Sequence, residues 1–297
     1  MADPMAMAVD MNTAQDRRKG YLITLLGVFW LSPDALVLRL IDTDAFSIIA
    51  YRGGLAVITL CIFLAWRDGR DALNRFLRGG WPMLLIGVLY AINSAAFVYA
   101  IEKTSVADVL VIVAATPLVA AILGWLLLGE IPSKIIATAI ALGGIGVAIS
   151  TIGGISGGNT IGIIAAIITT ALLATQFTLL RYWPQVDNVA AIITGSAIMG
   201  LMGLTLGDPF ALEGIPLVLA LCLGLFLSPI AYTLVTVGPR YLSSAEVSLT
   251  MLLETALGPL WVWLVLREEP PATALIGGAL IVGAVVIASG SAFRSSK

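Results

Sequence analysis

Trp125-Leu126-Leu127-Leu128-Gly129-Glu130-Ile131-Pro132 and Trp263-Leu264-Val265-Leu266-Arg267-Glu268-Glu269-Pro270 are two versions of one phrase, set 138 residues apart. Each copy closes one long apolar stretch and opens the next. The same offset carries Ala107-Asp108-Val109 onto Ala245-Glu246-Val247. Glycine-rich stretches follow both copies, with Gly143, Gly144 and Gly146 in the first and Gly277, Gly278 and Gly283 in the second. A chain this apolar gives one or two such matches by chance. Identities at Ala107, Val109, Trp125, Glu130 and Pro132, all in register and at matching places in the apolar pattern, make an internal repeat.

Composition says what solvent surrounds the repeat. Of 297 residues, 59% are hydrophobic and 11% charged, and the mean hydropathy is +1.02. A soluble domain carries roughly 25% charged residues. So few charges cannot cover a soluble fold, and a bilayer removes that need. The net charge of −2 offers no basic field for nucleic acid. There is no histidine, which rules out His-based triads, zincin motifs and a histidine proton relay. Cys61 and Cys222 lie in apolar stretches, outside any metal-ligand spacing, and read as small core residues. No metal site and no cofactor is expected.

A spanning helix needs about 20 apolar residues. Charge clusters and Gly/Pro/Asn punctuation delimit ten such stretches: 21–40, 46–66, 81–101, 107–128 and 135–151, then 161–183, 189–206, 216–237, 245–266 and 272–291. The expected organisation is a tail over 1–19, five spans over 20–151, a connector over 152–160, five more spans over 161–291 and a tail over 292–297. Residues 1–16 are polar and non-periodic, and no cleavage site follows the first span, so a disordered tail rather than a signal peptide is expected. With that tail in the cytoplasm, one face collects Arg17, Arg18, Lys19, Arg67, Arg70, Arg75, Arg78, Lys134, Arg181, Arg240, Arg294 and Lys297. The other face collects Arg39, Lys103 and Arg267. That bias places both termini in the cytoplasm of a bacterial inner membrane. Trp66, Trp81, Tyr182 and Trp183 fall at span ends, where an aromatic belt belongs.

Five spans is an odd number, so the second copy enters the membrane from the opposite side. This is the inverted-repeat arrangement of secondary transporters, whose solute site lies near the midplane between the halves.

The pattern Ala107-x9-Pro117-Leu118 followed by Gly129-Glu130-x-Pro132 resembles the EamA repeat of the drug/metabolite transporter superfamily. The segment Leu252-Leu253-Glu254-Thr255-Ala256-Leu257-Gly258-Pro259-Leu260-Trp261 is similar to the branch of aromatic amino acid exporters known as YddG. Arg52 matches an arginine usual in the second helix of that family. The second copy departs from the pattern twice. Arg267 stands where glycine is usual, and Pro259 falls four residues after Thr255, the position in register with Pro117. The resemblance implies a ten-helix, all-α basket. Spans one to four and six to nine would line a central cavity, with five and ten outside. It implies export of amino acids, metabolites or drugs without a prosthetic group.

An ionisable side chain within a span costs about 2.5–3.5 kcal/mol on insertion scales. Asp34, Arg52, Asp108, Glu246 and Glu254 therefore each need a partner, water or a task. Glu254 lies deepest; it is a partner for a substrate ammonium or a coupling carboxylate, or else a structural partner of Arg52. Arg52 holds a substrate carboxylate or a protein one. Asp108 and Glu246 occupy equivalent places near helix starts, where capping is the favoured reading and gating the alternative. Pro33-Asp34 marks either a polar break or an ordinary kink. Pro117 and Pro259 are candidate bends, and with Pro33 and Asp34 they are the residues expected to serve coupling or gating. Trp30, Tyr90, Asn93, Tyr99, Gln176, Ser228 and Tyr232 are polar or aromatic groups within spans. Each suits ordinary packing taken singly; together they suit a hydrated, partly aromatic cavity.

Arg52 and Glu254 would offer one charge of each sign, which fits a zwitterion. The expectation is a secondary exporter of neutral and aromatic amino acids by alternating access, with bilayer and solute as its partners and a single chain as the working unit. The runner-up is a multidrug or organic-cation exporter of the same superfamily. Gly154-x-Ser156-x-Gly158 lies in the connector without strand, elbow or histidine, so it is not a nucleophile motif. Gly143-Gly144-x-Gly146 lacks a preceding strand and serves helix packing.

Overall fold

The computed structural model describes residues 14–104, 106–150, 159–267 and 272–294, which are helical with no strand among them. The helices are α1 (Ala14–Leu31), α2 (Asp34–Ile41), α3 (Ala45–Asp68), α4 (Ala72–Lys103), α5 (Val106–Val113), α6 (Thr116–Leu128) and α7 (Lys134–Ser150). The connector follows, and 151–158, including Gly154-x-Ser156-x-Gly158, lies outside the described residues, as does Glu268-Glu269-Pro270-Pro271. Then come α8 (Thr160–Tyr182), α9 (Asn188–Leu206), α10 (Gly214–Cys222), α11 (Ser228–Val235), α12 (Ser244–Met251), α13 (Leu253–Leu266) and α14 (Ala272–Arg294).

Eight stretches among the described residues are long and apolar enough to cross a membrane: Gln15–Leu38, Ala45–Asp68, Arg78–Lys103, Asp108–Leu128, Thr160–Tyr182, Asn188–Leu206, Gly214–Arg240 and Ser244–Val265. The two other expected spans correspond to the shorter apolar helices Lys134–Ile149 and Leu275–Gly290. Large apolar side chains such as Ile62, Leu126, Leu201 and Val286 stand exposed on the outside of the bundle. That is the surface lipid covers at no cost.

Polar caps set the starts. Asp44 accepts from the Ser47 N–H at the head of α3, and Asp187 from the Ala190 N–H at the head of α9. Each satisfies a donor the first helical turn leaves free. Glycines set how closely helices approach. Gly53, Gly200 and Gly203 bring α3 and α9 backbone to backbone, and Gly87 and Gly195 do the same for α4 and α9; a Cβ at any of these would overlap the facing backbone. On the far side α7 packs along α14, with Gly146 against the Gly277 carbonyl. These are small-residue contacts of the membrane type.

The repeat governs element boundaries. An offset of 138 takes α5 (Val106–Val113) onto α12 (Ser244–Met251), the end of α6 at Leu128 onto the end of α13 at Leu266, and the start of α7 at Lys134 onto the start of α14 at Ala272. Each copy breaks mid-span. In the first, Ala115 N–H bonds to Ile112 O (3.1 Å) and Pro117 opens α6. In the second, Leu252 N–H bonds to Leu249 O (3.1 Å), and this turn has no proline. Pro259 lies seven residues beyond, inside α13, and its side chain is outside the described set. The bend therefore recurs within a residue of register although the proline does not.

Two sequence expectations change. The helix begins at Ala14, within the expected tail, so Arg17 sits on its first turns. Cys61 and Cys222 are exposed, not core. Hydropathy cannot tell a lipid-facing position from a core one, because lipid is as apolar as the protein interior.

Both copies end in a left-handed residue, Gly129 at φ 67° and Arg267 at φ 61°. That conformation costs a side-chain-bearing residue roughly 1–2 kcal/mol, which glycine escapes. Arg267→Gly is expected to raise the thermal midpoint in detergent, by about 1 kcal/mol of stability, and Gly129→Ala to lower it by a similar amount. A destabilising Arg267→Gly would show that the guanidinium makes a compensating contact.

Candidate functional site

The break between α1 and α2 supplies the first polar group of the interior. Pro33 occupies the N-cap of α2 and Asp34 its first turn. Asp34 faces α3, where Arg52 Nη1 donates to its Oδ2 at 2.9 Å. Arg52 is 0% exposed and Asp34 1%. Arg52 Nη2 also donates to the Tyr232 hydroxyl at 3.2 Å, and its guanidinium lies 5.6 Å from that ring's centre. Tyr90 packs edge-on to Tyr232 at 5.0 Å. A buried charge must be paired, and this cluster of α2, α3, α4 and α11 does it. Arg52 Nε and Asp34 Oδ1 are buried without a partner among the described residues.

Tyr232 is the exit from the cluster. Its oxygen accepts from Arg52, which leaves its own proton to donate elsewhere. It lines a central cavity of about 50 Å³ with Asn93, Thr116, Ser248, Glu254 and Thr255. Glu254 is the charged member of that lining. At this size the cavity has room for a few water molecules, so a solute as large as an amino acid needs the helices to part.

Of the residues expected from sequence, the structure brings Asn93, Tyr232 and Glu254 onto one wall, with Arg52, Asp34 and Tyr90 behind Tyr232. The others lie elsewhere. Helix α10 passes into a π-helical turn, Leu223–Leu227, two of whose carbonyls take side-chain donors. Trp30 Nε1 donates to Phe226 O (3.4 Å) and Thr59 Oγ1 to Leu225 O (3.0 Å). Trp30 is 43% exposed and satisfies backbone there. Ser228, at the end of the turn, and Gln176 on α8 are buried, with Ser228 Oγ and Gln176 Oε1 lacking partners among the described residues. Tyr99 packs on Phe46 and Lys103 along an outward groove. Asp108 accepts from Thr104 Oγ1 (3.3 Å) in the first turn of α5. Glu246 completes a capping box with Ser243, as the capping reading expected.

Sequence reasoning missed Thr116, Ser248, Met251 and Thr255 on the cavity wall. The signal was present in the sequence: Ser248, Met251, Leu252 and Thr255 recur at i, i+3, i+4 and i+7 on either side of the bend, beside Glu254. It also missed the ion pairs where α1 begins. Arg17 pairs with Glu246 at 2.5 Å, Arg181 with Glu130 at 2.9 Å and Arg67 with Asp187 at 2.6 Å. Each joins a residue of the first half to one of the second. No local pattern announces such long-range pairs.

Residues 18–152 match the model of the EamA-like transporter family. The chain carries an EamA-like domain of a membrane transporter family. The match spans α1 to α7, the copy that holds Asp34, Arg52 and Asn93. No curated protein matches the chain. A solved crystal structure aligns with a TM-score of 0.78 over 93% of this chain and 99% of its own, at 18% identity. At that identity the likeness speaks for the fold alone. The alignment takes in α8 to α14 as well as the residues that the family model matches.

Removing one partner of the Arg52–Asp34 pair leaves a buried charge alone, which costs about 3–5 kcal/mol. Arg52→Leu is therefore expected to unfold in detergent well below the parent chain. Asp34→Asn combined with Arg52→Gln leaves no buried charge and should recover much of the loss. Equal midpoints for the single and the double variants would mean the pair is not what stabilises the cluster.

Proposed function

We propose that this chain is a secondary transporter of the bacterial inner membrane that exports neutral and aromatic amino acids by alternating access. The observation that carries this is one cavity wall offering a carboxylate, Glu254, beside a hydroxyl, Tyr232, whose oxygen is engaged by Arg52. Glu254 takes the solute ammonium. The Tyr232 proton goes to the solute carboxylate, made a better donor by the cation behind it. Asn93 and the hydroxyls of Thr116, Ser248 and Thr255 complete the hydrogen bonding. Phe97 and Met251 offer apolar contact to side chains of varied shape.

The ten-span reading adds the helices α7 and α14 to the eight long stretches. Two five-span halves then insert in opposite senses, and rocking one against the other exposes the cavity to each side in turn. The charge bias puts both termini in the cytoplasm. Reporter fusions after Arg78 and after Lys297 should both report cytoplasm; a periplasmic signal from either overturns this topology.

The organic-cation alternative has one specific observation in its favour. Arg52 is engaged by Asp34 and does not itself line the cavity, so the charge presented there is Glu254 alone. Transport in liposomes separates the two readings. Excess phenylalanine, methionine and threonine should each slow uptake of a labelled neutral amino acid, with affinity around millimolar, roughly −4 kcal/mol. Competition by a bulky cation and by no amino acid would replace the first reading with the second. In either case Glu254→Gln keeps shape and loses charge. A charge-assisted bond is worth about 1.5–3 kcal/mol, so uptake should drop about tenfold or more while the thermal midpoint holds. Normal uptake by the folded variant removes Glu254 from the mechanism.

A further inference from the structure

A second cavity, about 450 Å³, lies where α1 begins, between the ends of α6 and α8 and the start of α12. Arg17, Glu130, Arg181, Ser244 and Glu246 line it, with Ala120, Ala121 and Ile136 as its apolar side. Two cations and two carboxylates face it, and both ion pairs, Arg17–Glu246 and Arg181–Glu130, cross between the halves. Tyr21 adds a hydroxyl to Glu246 Oε1 at 2.8 Å, and Arg181 Nη1 donates to Pro239 O at 3.3 Å.

The wall is not fully satisfied. Ser244 is 1% exposed and its Oγ has no partner among the described residues; Glu130 Oε2 is likewise buried and unpartnered. A buried polar atom without a partner costs about 1–3 kcal/mol, and here two of them border a space large enough for a small solute. The geometry points to a second binding site, for the zwitterionic headgroup of a free amino acid. The solute carboxylate takes Arg181 or Arg17. Its ammonium takes Glu130 Oε2 and the Ser244 hydroxyl. Either contact competes with an ion pair that ties the halves together, so occupation favours the state in which they part. On the proposed topology this is the cytoplasmic mouth, where an exporter loads. The site deepens the transport reading but can be tested apart from it.

Zwitterionic chemistry is also that of a phosphatidylethanolamine headgroup, so the test starts without lipid. A reporter chain carries Cys61→Ser, Cys222→Ser and Ala121→Cys, and alkylation by a maleimide is timed on purified protein in dodecyl maltoside. Methionine should slow alkylation with half-effect near about 1 mM and about tenfold at about 10 mM, following 1 + [L]/Kd. Propionate and methylamine at the same concentrations should not. Glu130→Gln in the reporter should abolish protection in a chain that still unfolds cooperatively on heating, at a midpoint lowered by the loss of the Arg181 pair. Glu254→Gln should leave it intact, which separates the site from the central cavity. Three results overturn the proposal: no protection by methionine in a folded reporter, protection lost with Glu254→Gln but not with Glu130→Gln, or protection only by added phosphatidylethanolamine. Protection by methionine in a protein that fails to transport it would leave this site standing and remove the amino acid transport reading. Transport without protection would do the reverse.

Discussion

Hydrocarbon offers no partner to a charge, and Arg52 is where that constraint presses hardest. A guanidinium wholly out of solvent fixes the positions of everything that must satisfy it. Asp34 has to face it, so the first span breaks at Pro33 to present a carboxylate at the head of α2. Tyr232 has to reach it, so α11 is aimed inward by the π-helical turn before it. Two carbonyls of that turn accept from Trp30 and Thr59. Around this one buried charge gather a helix break, a helical irregularity and the backbone contacts of Trp30, itself expected from sequence as a binding residue, and Thr59.

The other constraint is distance. Without a hydrophobic drive between helices in lipid, association depends on close contact and on hydrogen bonds. The glycines of α3, α4 and α9 let the two halves touch along their backbones. Three ion pairs then clasp them at the end where α1 begins. A glycine seam and a set of ion pairs have different consequences for motion. The seam is short-ranged and permissive of sliding, whereas the pairs hold only while each cation keeps its own carboxylate. Two of the three pairs, Arg17–Glu246 and Arg181–Glu130, stand on the wall of the second cavity.

The duplicated segments show how a fold outlasts its sequence signals. The bend between α5 and α6 has a proline, and the bend between α12 and α13 has none at that position. The left-handed cap has glycine in one copy and arginine in the other. Packing of the flanking helices imposes the geometry in both. Local chemistry eases it in only one.

From the sequence by itself came the class of fold, because hydropathy over about 20 residues reports the solvent directly, and the repeat, because an offset of 138 is visible without coordinates. The deep carboxylate Glu254, the cap at Glu246 and Asn93 and Tyr232 as polar groups within spans were legible too, since such groups stand out against apolar stretches. What only the tertiary structure decided was which polar groups meet. Arg52 belongs to Asp34 and Tyr232 rather than to the cavity, Trp30 stands partly exposed, and Tyr99 lines a separate groove. Cys61 and Cys222 meet the surface, and Arg17, Glu130 and Arg181 line a cavity of their own. The physical reason is that every face of a membrane helix is apolar, towards lipid and towards protein alike. Periodicity then carries little information about which way a side chain points, and the pairing of charges more than a hundred residues apart is fixed by packing alone.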